Sequence, residues 1–270
     1  MRRGPPGRRW AVPRAGRVQA RRSPVTFLLI VVSSLVGGVL SVLLAGTVLA
    51  VRPALLESAL PRLISFSTGT LLGAALLGMI PHAAKTLPVA TVAPVLLAGL
   101  LSFFVLEKLL VWRHCHKHDC DVHASSGPLL LIGDAFHNFV DGVVIAGAFL
   151  DSTALGLTVA LSTIAHEVPQ EVGEFMVYLH GGYARRRALL LNALTSLTSV
   201  VGAVLGYFFL SQMHGVGPYL LAFAAAGFLY VALADLVPVQ RGRMSLKLTI
   251  LDLLLVAAGI GVIALFAHGH

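Results

Sequence analysis

Eight apolar runs, each long enough to cross a bilayer as a helix, follow one another along this chain: approximately 26–50, 60–80, 88–112, 128–150, 154–180, 187–211, 217–238 and 247–267. No other feature limits the fold as severely. Inside hydrocarbon a backbone must satisfy its own N–H and C=O groups, so runs of about 17–25 apolar residues are viable there only as helices. The expected fold is an all-α polytopic membrane protein with eight transmembrane helices. Composition agrees: 57% of the 270 residues are hydrophobic and 12% are charged, about half the charged share of a soluble domain. With a mean hydropathy of +0.86, a water-soluble chain could not cover its surface.

Residues 1–24 are different in kind. Arg2, Arg3, Arg8, Arg9, Arg14, Arg17, Arg21 and Arg22 lie there among Pro and Gly, and such a segment buries too little apolar surface to order itself. It reads as a basic disordered arm. Such an arm can attract anionic lipid or nucleic acid, but no nucleic-acid module follows it, so the bilayer is the expected partner and nucleic acid is not. The run from Val25 to Val51 is too long for the hydrophobic core of a signal peptide. Residues 25–270 are therefore expected to form one eight-helix membrane domain, with both termini on one side. Basic residues favour the cytoplasm. Arg52, Arg113, Lys117, Arg185, Arg186, Arg187, Arg241, Arg243 and Lys247 all fall in the loops after the odd-numbered helices, against only Lys85 in the opposite loops. Both termini are thus expected outside a plasma (inner) membrane, an orientation that the arm alone opposes.

The fourth and fifth runs break the apolar pattern. GDAFHNFVDG places Asp134, His137, Asn138 and Asp141 on one helical face, and HEVPQEVGEF does the same for Glu167, Gln170, Glu171 and Glu174, with His166 one turn before Gln170. A very short turn at Asp151 and Ser152 makes these helices antiparallel neighbours, a central polar hairpin. His137 precedes Asp151 by 14 residues and His166 follows it by 15. At about 1.5 Å per residue both lie roughly 21–23 Å from the apex, at matching depth in a layer roughly 30 Å thick.

Ionisable groups at that depth are rare and usually functional. Imidazole combined with carboxylate and amide oxygen suits a divalent first-row metal. His137 with Asp141, and His166 with Gln170, can each offer two donors to one ion, while Asn138 and Glu167 could hold a second beside it. Asp134, Glu171 and Glu174 are accessory candidates along a pathway. Pro169 removes one backbone hydrogen bond and clashes with the carbonyl of Ala165, an irregularity tolerated at membrane depth within protein or beside a cavity.

HNFVDG (137–142) and HEVPQEVGEF (166–175) resemble the paired signatures of the Zrt/Irt-like (ZIP) family of divalent metal transporters, in the branch with His-Asn-Phe-x-Asp-Gly and His-Glu-x-Pro-x-Glu-x-Gly-Asp-Phe. The resemblance implies eight spans, outside termini, and ATP-independent entry of metal into the cytoplasm, often by homodimers whose transport helices slide against a scaffold. It implies a primary site of His137, Asp141, His166 and position 170, and a second site of Asn138, Asp141 and Glu167 with Asp141 bridging. Zn²⁺ is then the expected cargo, with Fe²⁺, Mn²⁺ or Cd²⁺ as alternatives, and no resident cofactor. This chain departs from the branch where Gln170 replaces a common His and Glu174 the usual Asp. Gly78 and His82 stand where a His and a Glu are frequent, and the sixth helix offers Asn192, Ser196 and Ser199 in place of a carboxylate.

The loop RHCHKHDCDVH, 113–123, adds His114, His116, His118 and His123 with Cys115 and Cys120, a possible loose chelator on the cytoplasmic side that matches no structural zinc module. His268 and His270 could scavenge metal at the other face. Two other classes fit some of these residues. HEVPQ begins like the H-E-x-x-H of zinc hydrolases but lacks the second histidine, and a metal sensor could use the same site without translocation.

Overall fold

A computed structural model describes residues 23–51, 53–112, 127–213, 215–240 and 245–267. The arm up to residue 22, the loop histidines His114, His116, His118 and His123, and the terminal His268 and His270 lie outside the described residues, as do Arg52, Arg113, Lys117, Arg241 and Arg243. Among the described residues the structure is helical throughout, in eight stretches: α1 (24–51), α2 (53–84), α3 (Val89–Trp112), α4 (Gly127–Asp151), α5 (Thr153–His180), α6 (Arg185–Leu210), α7 (217–240) and α8 (Leu246–Ala267). Within α1, α2 and α7 the winding loosens to a π-helical segment, at Val36–Leu40, Ala74–Met79 and Val231–Leu236. The junction residues keep helical dihedrals, so each helix continues through. Such segments disturb the regular ladder locally and are frequent where helices carry function. Those of α1 and α2 both pack against α5.

The second helix begins at Pro53 rather than near residue 60. Glu57 and Arg62 lower the hydropathy of its first turns and hid them, yet proline suits a first helical turn and the residues after it are good helix formers. Among the described residues, six stretches are long and apolar enough to cross a membrane: Pro24–Leu44, Ala59–Ala84, Val89–Leu109, Arg185–Leu210, Gly217–Ala234 and Leu246–Phe266. α4 and α5 are not among them, because their carboxylates and histidines offset their apolar residues.

Burial explains how those two polar helices are accommodated. Leu97, Leu101, Leu253, Leu254 and Leu265 are all more than half exposed, whereas Ser65, Ser67, Thr68, Thr70, Asp134, Glu167 and Glu171 are buried. Apolar side chains face outward and polar ones inward, as expected where the surrounding solvent is lipid. The apolar part of the interior gathers Ile30, Leu71, Met79, Ile145, Phe149, Val159, Leu221 and Ile263.

Two glycines set the position of α4. A Cβ at Gly142 would run into the Ser199 carbonyl of α6, and one at Gly202 into the Phe139 carbonyl of α4. The backbones therefore approach as closely as small-residue crossings in membranes allow. The Thr198 hydroxyl adds a 2.6 Å hydrogen bond to the Ala135 carbonyl. Gly69 and Gly259 bring α2 against α8 in the same way. At the other end of α4, Ser152 caps α5, its hydroxyl accepting from the Leu155 N–H at 3.2 Å. A single residue thus separates α4 from α5.

Candidate metal centre

The polar faces of α4 and α5 meet near the middle of both helices. His137 and His166 approach through their Nε2 atoms at 3.3 Å. Asp141 Oδ2 lies 3.2 Å from His166 Nε2 and 4.0 Å from His137 Nε2. Glu167 Oε1 lies 3.8 Å from each histidine nitrogen. One donor atom from each of the four residues falls within 4.8 Å of all the others. A central ion could reach all four at ordinary metal–nitrogen and metal–oxygen lengths of about 2.0–2.2 Å after small side-chain adjustments.

The surroundings prepare these atoms. His166 places Nδ1 3.0 Å from the Ser162 carbonyl. An N–H there leaves the Nε2 lone pair turned inward, the usual way a second contact fixes a ligating imidazole. Phe228 of α7 packs edge-on against the same ring at 5.8 Å. His166, Asp141 and Glu167 are buried, while His137 keeps 23% of its side chain accessible. Both Glu167 oxygens and Asp141 Oδ2 lack a hydrogen-bond donor among the described residues. Buried carboxylates in that condition are costly unless a cation joins them.

The kink at Pro169 is also provided for. The Ala165 carbonyl, which loses its helical partner to the proline, accepts a hydrogen bond from the Ser67 hydroxyl of α2. Sequence reasoning required a partner but could not name one. The signal was present in the polar run Ser65–Thr70 inside an otherwise apolar span.

The remaining candidates are distributed around this centre. Asn138 donates to Asp134 Oδ1 at 2.8 Å. Gln170 donates its amide N–H to Asp134 Oδ1 at 3.5 Å and to Glu174 Oε1 at 3.3 Å, so its nitrogen faces the acids rather than the histidines. Glu171 is held by α6: the Ser196 hydroxyl donates to its Oε1 at 2.5 Å, and the Asn192 amide to its backbone carbonyl at 3.0 Å. The structure thus groups Glu167 with the two histidines and turns Gln170 toward Asp134.

A cavity of about 480 Å³ opens beside the α4–α5 turn, lined in part by Leu77, Pro81, His82, Lys85, Asp151 and Thr158. His82 Nε2 pairs with Asp151 Oδ2 at its wall. That pairing was not legible in sequence, because the partners are 69 residues apart (151 − 82).

Comparison with known proteins supplies a family. The family model described as ZIP Zinc transporter matches residues 112–267, which include both polar helices. The chain belongs to the ZIP family. Zinc transporter ZIP13 of Pongo abelii is 31% identical over 225 residues, covering 77% of this chain and 67% of that protein. Zinc transporter foi of Drosophila melanogaster is 34% identical over 140 residues, 52% of this chain and 20% of its own length. Zinc transporter ZIP4 of Mus musculus is 41% identical over 114 residues, 41% of this chain and 16% of its own. The chain thus spans about a fifth of the fruit-fly protein and two thirds of the orangutan one. Family and apolar helices together make this ZIP chain an integral membrane protein of a transporter family rather than an enzyme.

Proposed function

We propose that this ZIP protein moves a divalent metal ion, zinc before iron, manganese or cadmium, across the membrane into the cytoplasm. The ion passes through the cage of His137, Asp141, His166 and Glu167 between α4 and α5. One observation carries the reading: two imidazoles and two buried carboxylates converge within 4.8 Å, and among the described residues no lysine or arginine pairs with them. Two carboxylates and a dication sum to zero charge. Ligand and ion therefore offset each other's desolvation, which makes both tolerable in a low-dielectric interior. Imidazole nitrogen with carboxylate oxygen favours zinc within the first-row series.

In this proposal α4 and α5 cross the bilayer as a hairpin among eight spans, with the Ser152 turn and both termini outside and the basic loops inside. The cavity at that turn is the outer vestibule. Asn138 and Gln170 extend the ligand set beside the cage, and the histidines of loop 113–123 receive metal on the cytoplasmic side. The loosened turns in α1 and α2 lie against α5, where a shift between helices would open the cage to one face and then the other. A second copy of the chain is the expected partner.

Uptake of radiolabelled zinc into liposomes holding the purified chain tests the proposal. His137→Ala and Asp141→Ala should each reduce uptake to the level of empty vesicles and leave the elution profile unchanged, since neither side chain belongs to the apolar clusters that pack the helices together. Undiminished uptake in both would remove the site assignment. Metal binding without movement would favour a sensor, and cleavage of lipid or peptide a hydrolase.

A further inference from the structure

His166 is the more deeply buried of the two cage histidines, and its ring has partners in the Ser162 carbonyl at Nδ1 and the edge of Phe228. Its backbone is in a less ordinary position. Pro169 lies inside α5 and carries no N–H, so the carbonyl four residues earlier, at Ala165, has no helical donor. That carbonyl and the His166 N–H belong to one planar peptide unit. Whatever holds the Ala165 oxygen therefore fixes one of the two planes that meet at the His166 Cα, the atom from which the imidazole projects.

The holder comes from α2. Ser67 is buried, and its hydroxyl donates to the Ala165 carbonyl. Serine and threonine hydroxyls inside helices commonly bond back to a carbonyl of their own preceding turn. Thr68 and Thr70 do so, at the Ile64 and Ser67 carbonyls, and Ser65 donates to the Pro61 carbonyl. Ser67 instead reaches a different helix, 98 residues away in sequence, and meets there the carbonyl that the proline has freed.

We propose that Ser67 is a positioning residue for the metal cage: through the Ala165 carbonyl it sets the direction in which His166 presents Nε2 to the ion. The proposal rests on the transport reading and adds to it a part played by α2, a helix that supplies none of the four cage ligands. Buried carbonyls are almost always satisfied. Without the Ser67 hydroxyl the Ala165 oxygen would turn toward another donor, and its peptide plane would rotate. The ring would then leave its present approach to Asp141 Oδ2 at 3.2 Å and His137 Nε2 at 3.3 Å. Because the bond runs between helices, a shift of α5 along α2 breaks it. The firm hold on His166 thus belongs to this one arrangement of the two helices.

Zinc binding to the purified full chain in detergent, measured by competition with a chromogenic chelator, tests the assignment. His166→Ala defines which part of the binding belongs to the cage. Ser67→Ala should weaken that part about tenfold, the lower end of the loss usual for groups that act on a metal through its ligands. Ser67→Cys should weaken it to a similar extent, because sulfur fills the space but is a weak donor. The sharper comparison replaces the proline. Pro169→Ala restores an N–H for the Ala165 carbonyl. Adding Ser67→Ala to that background should cost less than about twofold, a non-additivity that lost packing alone would not produce. Wild-type affinity in both Ser67 variants, or the same loss with and without Pro169, would overturn the proposal. Should Pro169→Ala bind no zinc by itself, the Ser67→Cys affinity decides alone. If His166→Ala binds zinc as the wild type does, the cage reading fails and the proposal with it, so the two failures are told apart.

Discussion

At the scale of single residues, the centre is built from a few donors whose neighbours leave them poised. His166 is fixed by a backbone carbonyl one turn earlier and by the edge of Phe228. Gln170, at the same face one turn later, donates to two carboxylates instead of facing the histidines. A histidine at 170 would add a third imidazole near the cage and take an N–H away from Asp134 and Glu174. Gln170→His should therefore shift the transport ratio toward Zn²⁺ over Mn²⁺ by about tenfold, the weight of roughly 1.4 kcal/mol in relative affinity. Competitive uptake of the two ions in one vesicle preparation checks this, and an unchanged ratio would exclude position 170 from the ligand path.

Among elements, the decisive contact is the crossing of α4 and α6. Gly142 and Gly202 let each backbone rest on a carbonyl of the other helix, which holds the polar face of α4 toward α5 and brings Ser196 and Asn192 within reach of Glu171. Since both obstacles are backbone atoms, no side-chain rotation can make room. Gly202→Leu should force the helices apart, at a cost of about 1–3 kcal/mol or more for overpacking, and should lower the thermal midpoint of the detergent-solubilised chain by several degrees. Leu97→Ala on the outer face of α3, where the side chain is largely exposed, provides the control. A midpoint for Gly202→Leu no lower than that of Leu97→Ala would show that the crossing is not close packed.

For the molecule as a whole, the inside-out distribution of polarity and the placing of charge make one prediction about topology. The two cysteines, Cys115 and Cys120, belong to the loop expected in the cytoplasm, and Ser152 to the turn expected outside. A membrane-impermeant maleimide, applied to intact cells with chelator present, should leave the wild-type chain unlabelled until the cells are permeabilised. Ser152→Cys in a Cys115→Ser/Cys120→Ser background should label at once, because the turn borders an open cavity. The reverse pattern would invert the orientation and with it the assignment of vestibule and exit.

How much of the protein is legible in its sequence depends on which interactions are local. Span length and amphipathic spacing are properties of a continuous segment, so they disclosed the helical class, the polar faces of α4 and α5, and the family signatures at 137–142 and 166–175. Where charge interrupts hydropathy, as at Glu57 and Arg62, the start of α2 was lost. Interactions between distant segments were out of reach altogether: Ser67 at the Ala165 carbonyl, Ser196 at Glu171, His82 at Asp151, and the side to which Gln170 turns. Helical periodicity states which residues share a face, but the rotation and depth of each helix are set by packing against neighbours such as Gly202, and that choice belongs to the assembled bundle.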